Sequence, residues 1–575
     1  MKIEFRLALV STCAAVLCVG RAALAQTMER ASVSSLGVEG NSVSQIPAIS
    51  GDGRFVAFES SATNLVPGDT NGMLDIFVRD RQNGTTERAS VSTGGIQASS
   101  NCSRASISGD GRFVAFESFA SNLAVGDTNA SVDIFVRDRQ LGACERVSVS
   151  AAGAQGNADS ITPSISADGR TVAFESNASN LVAGDANGTY DIFVRDRQSG
   201  TTELISVDSS GAQGNGISYS PVISADGRFV AFVSVATNLV AADTNAAGDI
   251  FVRDRLAGTT ERVSISNAGA QANAASHSAS ISADGRCVAF ASSAWNLVPN
   301  TGGGVFVRDR QLARTECASV DSSGAWGGGD QFNSISADGR FVAFWSSVSN
   351  IVAGDTNGML DVFVRDRGTA TTERISVDAF GVEGNGHSYG GEISADGRFV
   401  AFESQATNLV AGDTNSNRDI FVHERGPDLP LVYCTAGTTG LGACSASILA
   451  SAHPSVSFAN ACNIVVSHVE GGRVGILFYG FTRTFQPWCA QVGGASYLCV
   501  SAPTMRTGVQ HSGGTFGACN GSFALDWNAF QLTHPAALGA PWSAGSIADV
   551  QAWFRDPISC KGSNFSNAVE LIYTP

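Results

Sequence analysis

Residues 217–265 read ISYSPVISADGRFVAFVSVATNLVAADTNAAGDIFVRDRLAGTTERVSI and contain one whole structural unit. ISYSPVIS is a first strand, and Asp226-Gly227 is a tight turn in which glycine supplies the positive φ. RFVAFVS is a second strand, ATNLVAADTNAAG a long loop, DIFVRDR a third strand and TTERVSI a fourth. Strands two and three carry unbroken apolar runs, as strands covered on both faces do. Strand four alternates, with Val263 and Ile265 expected inward and Arg262 and Ser264 outward, as at an outer edge.

The unit repeats. Asp-Gly-Arg recurs with its Asp at 52, 110, 168, 226, 284, 338 and 396, at spacings of 58 except for one of 54. A fixed period with turn punctuation means stacked supersecondary units. Sheets buried on both faces with a half-wet outer strand are the blades of a propeller. The seventh copy runs into Pro427 without a fourth strand, whereas Glu29-Arg30-Ala31-Ser32-Val33 matches Glu87-Arg88-Ala89-Ser90-Val91. The N-terminal segment therefore supplies the missing strand and removes the open edges. The expected fold is all-β: a seven-bladed β-propeller closed by its N-terminal strand, then a small disulfide-stapled β-sandwich.

The Ser-x-Asp-Gly-Arg-x-Val-Ala-Phe core resembles the WD-repeat-like propeller repeats of the TolB type, with Ala or Gly in place of their usual Pro. The resemblance covers roughly residues 27–425 and implies the fold, since this repeat serves many unrelated roles.

Domain bounds follow from the repeat. Residues 1–25 read as a signal peptide: Lys2 and Arg6, an apolar run from Leu7 to Val19, and Ala23-Leu24-Ala25 before cleavage. Residues 26–425 are the propeller, 426–432 a linker and 433–575 a Cys-rich domain. Export places the protein in the periplasm, at the cell surface or outside the cell. The apolar run is too short to span a bilayer, so no integral membrane segment is expected. With 36 basic against 52 acidic residues the chain has a formal net charge of -16, which excludes a general nucleic-acid binder. Residues 431–575 hold five acidic and five basic side chains, so the propeller carries the excess. Seven cysteines crowd that neutral tail: Cys434, Cys444, Cys462, Cys489, Cys499, Cys519 and Cys560. In an exported chain they suggest disulfides, and since seven is odd at least one thiol is free or pairs elsewhere. Tyr433-Cys434-Thr435 and Cys519-Asn520-Gly521-Ser522-Phe523 resemble an uncharacterised Cys/Gly-rich module of secreted bacterial proteins.

The best candidate site is the repeated loop between strands two and three. Its spacing, Asp-x-Asn-x-x-x-Asp, occurs at Asp69/Asn71/Asp75, Asp127/Asn129/Asp133, Asp185/Asn187/Asp191, Asp243/Asn245/Asp249, Asp355/Asn357/Asp361 and Asp413/Asn415/Asp419. The fifth copy lacks it and is four residues shorter. Calcium takes oxygen ligands from carboxylates, amides and carbonyls, and this spacing begins such a shell. Backbone carbonyls, water or a neighbouring loop would have to finish it. The competing reading is plain Asx-turns, which the same residues make readily.

The interblade loops, such as Gly-Val-Glu-Gly-Asn at 37–41 and Gly-Ala-Gln-Gly-Asn at 211–215, lie on the same face. That polar face suits cations, a glycan or a protein partner. Gly386-His387-Ser388-Tyr389-Gly390 has the form of a nucleophile elbow, but repeat register makes it an ordinary first strand. Asp80 and its equivalents lie between arginines, opposite the strand that begins near Glu87, which predicts cross-strand ion pairs. The function read from these features is an exported, non-enzymatic binding or scaffold protein. The alternative is an extracellular propeller enzyme, a lyase or hydrolase acting on polysaccharide. Trp295 of the irregular fifth blade and Trp326 just beyond it read first as packed core residues and, in the competing reading, as aromatics that stack on a sugar.

Overall fold

The computed structural model describes residues 27–328 and 333–425, and beyond them the strands, with Trp527 and Phe530, between 432 and 572. Seven antiparallel four-stranded sheets follow one another, one per repeat. In the fourth blade the strands are Ser218–Ile223, Phe229–Ser234, Asp249–Asp254 and Thr259–Arg262. The apolar runs of the second and third strands serve two neighbours at once. Ala231, Val233, Ile250 and Val252 pack on Val288, Phe290 and Phe306 of the fifth blade. The alternate residues Val230, Phe232 and Phe251 pack on Ala173, Ile192 and Val194 of the third. Phe232 and Phe251 are cross-strand partners with ring centroids 5.9 Å apart, a pair recurring in every blade. Burying each such phenylalanine contributes about 2–3 kcal/mol.

The Asp-Gly-Arg turn ties blade to blade. Asp110 Oδ1 accepts from Ser108 Oγ at 2.7 Å and from the Arg112 N–H at 2.9 Å. Gly111 has φ +71°, and a Cβ there would run into the Phe55 ring of the preceding blade. That ring lies between two guanidiniums, Arg54 at 4.6 Å and Arg139 of the second blade at 4.4 Å. Arg139 also donates to Glu87 of the first blade and to the Gly111 carbonyl. Around the inner end, the N–H of Gly51 donates to the Gly109 carbonyl at 2.9 Å and that of Gly109 to Ala167 at 2.9 Å. The pattern continues through Ala225, Ala283, Ala337 and Ala395 back to Gly51.

The ring closes with the N-terminal strand. Thr27–Arg30 pairs antiparallel with the last propeller strand, Met28 opposite His423 and Arg30 opposite Phe421. Ala31 is buried in one cluster with Val56 and Phe58 of the first blade and Ile420 and Val422 of the seventh.

Three features differ from expectation. The fourth strand stops at Arg262, and Ser264 is buried rather than outward, because its hydroxyl serves the loop described below. The ion pairs run differently: Asp80 is held by the Asp-Gly-Arg arginine of its own blade, Arg54, at 2.7 Å. Glu87 instead reaches Arg139 of the next blade. Six first strands carry a bulge that local sequence patterns do not mark; in the fourth blade Ser220 has φ 51° and the register shifts between Tyr219 and Val222.

After residue 431 the described strands form two antiparallel sheets, one built on Val474–Pro487 and one on Asn463–Val469. The expected signal peptide and the side chains of all seven tail cysteines lie outside the described residues. No helix among the described residues is long and apolar enough to cross a membrane.

Candidate functional site

Each Asp-x-Asn loop folds back on itself. In the first blade the Asn71 side-chain amide donates to Asp75 Oδ2 at 3.0 Å and to the Ala98 carbonyl at 3.1 Å, while Asn71 Oδ1 accepts from the Met73 N–H. Asp75 opens the third strand, is fully buried, and accepts from Ser90 Oγ at 2.5 Å. Asp75 thus begins the strand and Asn71 closes a turn.

The other five asparagines are used in the same way. Asn129 donates to Asp133 at 3.0 Å and to the Gly156 carbonyl at 2.8 Å. Asn187 donates to Asp191 at 2.7 Å and to the Gly214 carbonyl at 3.0 Å. Asn245 donates to Asp249 and to the Ala272 carbonyl, both at 2.9 Å. Asn357 donates to Asp361 and to the Gly384 carbonyl, both at 3.0 Å. Asn415 donates to Asp419 and, across the seam of the ring, to the Gly40 carbonyl, both at 2.9 Å. The amide oxygens of Asn129, Asn187, Asn245, Asn357 and Asn415 accept from the N–H two residues on, at Ser131, Thr189, Ala247, Met359 and Asn417. The group each turns toward the carboxylate is its NH₂, a donor, and its oxygen closes an Asx-turn.

The spacing did not reveal what faces the two carboxylates. Arg88, the last residue of the outer strand, places Nη1 3.0 Å from Asp69 and 3.3 Å from Asp75. Arg146 stands likewise between Asp127 and Asp133, Arg262 between Asp243 and Asp249, Arg374 between Asp355 and Asp361, and Arg30 between Asp413 and Asp419. In these five blades the cation between the carboxylates is the chain's own guanidinium. Burial still pushes the carboxyls of Asp69, Asp127, Asp355 and Asp413 up, with arginine pulling the other way.

The third blade is different. Leu204 stands where the others carry arginine, opposite Phe193. Asp185 and Asp191 are kept, and the Gln213 side-chain amide donates to both, at 2.7 and 2.8 Å. Burial pushes the Asp191 carboxyl up. The fifth blade has lost the whole cluster: Gly304 for the strand-opening Asp, Cys317 for the arginine and Trp326 for the glutamine. Among the described residues no three of His, Cys, Asp and Glu gather into a group that could hold a metal ion.

A second polar feature escaped the sequence reading. The bulge in each of four first strands turns an N–H toward the neighbouring blade, where a second-strand glutamate accepts it: Ser220 to Glu175 at 2.6 Å, Thr162 to Glu117 at 2.7 Å, Arg104 to Glu59 at 3.2 Å and Ile46 to Glu403 at 2.9 Å. Four successive blades thus line the inner strands with an arc of glutamates, and Val233, Ala291 and Trp345 interrupt it on the other three. Burial pushes the Glu59 and Glu175 carboxyls up. On the inner strand of the seventh blade burial pushes Glu392 up to about 7, against the Ser334 hydroxyl that donates to it. The arc glutamates sit in the Phe-Glu-Ser ends of otherwise apolar strands, and only a count of which blades keep them could have drawn attention to them.

Ser388 is fully buried, opens a first strand and hydrogen-bonds Ser404 at 2.9 Å. It is no exposed nucleophile.

Among solved structures, the chain is similar to TolB from Acinetobacter baumannii at 16% identity and TM-score 0.32, over 52% of this chain and 58% of that one. It is similar to a putative TolB from Agrobacterium tumefaciens at 18% identity and TM-score 0.32, over 48% and 80% of the two chains. It is similar to the β-propeller domain of the Trilobed protease from Pyrococcus furiosus at 12% identity and TM-score 0.42, over 67% and 98%. The match thus takes in little more than half the length of the Acinetobacter protein, 58%. No family model matches the chain, and no curated protein matches it.

Proposed function

We propose that the chain is an exported, non-enzymatic binding or scaffold protein that presents the polar loop face of its propeller to a protein or glycan partner, with calcium held in the third blade. The observation that carries this reading is the carboxylate pair of Asp185 and Asp191, which keeps its loop but has Leu204 in place of arginine. Five sister loops carry a built-in positive charge at that point; this one is open to an added one. Turning the Gln213 amide over would present its oxygen to the cation, beside the two carboxylates. In this reading the self-neutralised loops make a stiff frame, and ligands enter where the repeat departs from itself.

The test is thermal unfolding of the metal-stripped mature protein with and without millimolar calcium. A ligand that binds only the folded state raises stability by mass action. The expected result is a calcium-specific rise, absent with magnesium and abolished by Leu204→Arg. No rise, or a rise that Leu204→Arg leaves intact, returns all six loops to plain turns.

A second reading has its own observation. The arc glutamates, and separately Glu392 on the seventh blade's inner strand, are carboxylates of the type that acid/base cleavage of a polysaccharide uses. Release of new reducing ends from a polysaccharide, lost in Glu392→Gln, would favour the enzyme over the scaffold.

A further inference from the structure

The fifth blade replaces three members of the loop cluster together, and a cavity of about 400 Å³ lies between its outer strand and the sixth blade. That volume is in the range of pockets that hold small ligands. We propose that this cavity binds an acidic saccharide, whose ring lies on Trp326 and whose carboxylate meets Arg314. The proposal rests on the binding reading above and names its ligand class and place.

Three observations support it. First, Trp326 stands where four other blades carry Gln97, Gln155, Gln213 and Gln271. Its indole packs against Gly302, where a Cβ would collide with it, and its Nε1 donates to the Gly303 carbonyl at 3.1 Å. The ring is thus fixed on one side, and the residue remains 41% exposed. A fixed, half-open aromatic face is what stacks on a sugar ring at small entropic cost.

Second, the cavity carries an excess of positive charge in an acidic chain. Arg314 and Arg367 both lie on the single carboxylate of Glu316, at 2.9 and 2.5 Å. Other blades match one arginine to one glutamate here, as Arg255 is matched to Glu203. Arg314 is the extra cation: the equivalent position is Thr259 in the fourth blade and Thr371 in the sixth. A carboxylate is the natural bidentate partner of a guanidinium left with spare donors.

Third, polar groups for hydroxyls stand beside the aromatic. Asn300 is exposed at the cavity edge, and Thr301, whose hydroxyl donates to the Val298 carbonyl, lines it beside Trp326.

The experiment is isothermal titration of the mature full chain with tetragalacturonate, maltotetraose and AMP. Tetragalacturonate is expected to bind, weakening with added salt, and maltotetraose to bind at least tenfold less tightly. Trp326→Gln and Arg314→Thr install the residues of sister blades, so both variants should keep the wild-type melt. Each is expected to weaken tetragalacturonate about tenfold. No tetragalacturonate binding up to millimolar concentration overturns the proposal, as does tighter binding of AMP. Binding that both variants leave unchanged also overturns this site, while leaving the scaffold reading in place. Cleavage of tetragalacturonate during the titration sinks the scaffold reading instead.

Discussion

The N–H of Ala395 donates to the carbonyl of Gly51 at 3.0 Å, so the last blade is bonded to the first as Gly51 is to Gly109. The inner hydrogen-bond ring is complete without the N-terminal strand. The outer edge of the seventh blade is not, because only Thr27–Arg30 covers Asp419–Glu424.

Removing residues 27–34 should therefore leave seven blades but expose that edge and bare Asp419, which Ser32 Oγ reaches at 2.5 Å. Four ladder residues and a buried charge-assisted hydrogen bond make the loss roughly 3–5 kcal/mol. Chemical denaturation should show a lowered midpoint; an unchanged midpoint would refute closure by this strand.

Gly111 and Gly126 both have positive φ, 71° and 77°, yet only Gly111 faces a ring. Gly126→Ala should cost about 1 kcal/mol from backbone strain, with open space around it. Gly111→Ala adds a clash with Phe55 between two arginines and should cost about 3 kcal/mol or more. Equal melting temperatures for the two variants would contradict the blade contact.

Arg88→Leu recreates in the first blade what Leu204 does in the third. It strands Asp69 and Asp75 in a buried site and should destabilise by about 3 kcal/mol. Calorimetry of this variant should also show a new calcium-dependent rise if paired carboxylates without arginine suffice to hold the ion.

His423 takes the place of the arginine that other blades carry at this position, such as Arg253, and sits opposite Met28 rather than a threonine. Arg253 donates to Asp208, Gly258 and Thr260; both His423 ring nitrogens are buried without a hydrogen-bond partner. Burial, helped by Arg425 and opposed by Glu424, lowers its pKa from 6.5 to about 4. The folded state thus keeps it neutral. Its contribution is present above pH 6.5 and is lost as pH falls through the window down to about 4. His423→Gln should flatten the fall of the denaturation midpoint across that window; an identical slope in both proteins would refute the assignment.

The period, the strand order, the seven blades and the closing strand were legible in the sequence. Each is a local or repeated pattern: apolar runs for strands buried on both faces, Asp-Gly for the turn, and an orphan Glu-Arg-Ala-Ser-Val for the seam. The Asp-x-Asn loops were equally visible, but not their partners. Spacing alone could not say whether Asn129 or Asn245 turns its oxygen or its NH₂ toward the neighbouring carboxylate. Arg88 is thirteen residues from Asp75 along the chain, and only the hairpin register brings its guanidinium between the two carboxylates. The exchange of Asp80 and Glu87 partners, the bulge that engages Glu175 and the cavity beside Trp326 all depend on how one blade meets the next. Composition and spacing record which charges a chain owns. Which charges are neutralised within the protein, and which remain for a ligand, was decided by the distances that close the ring.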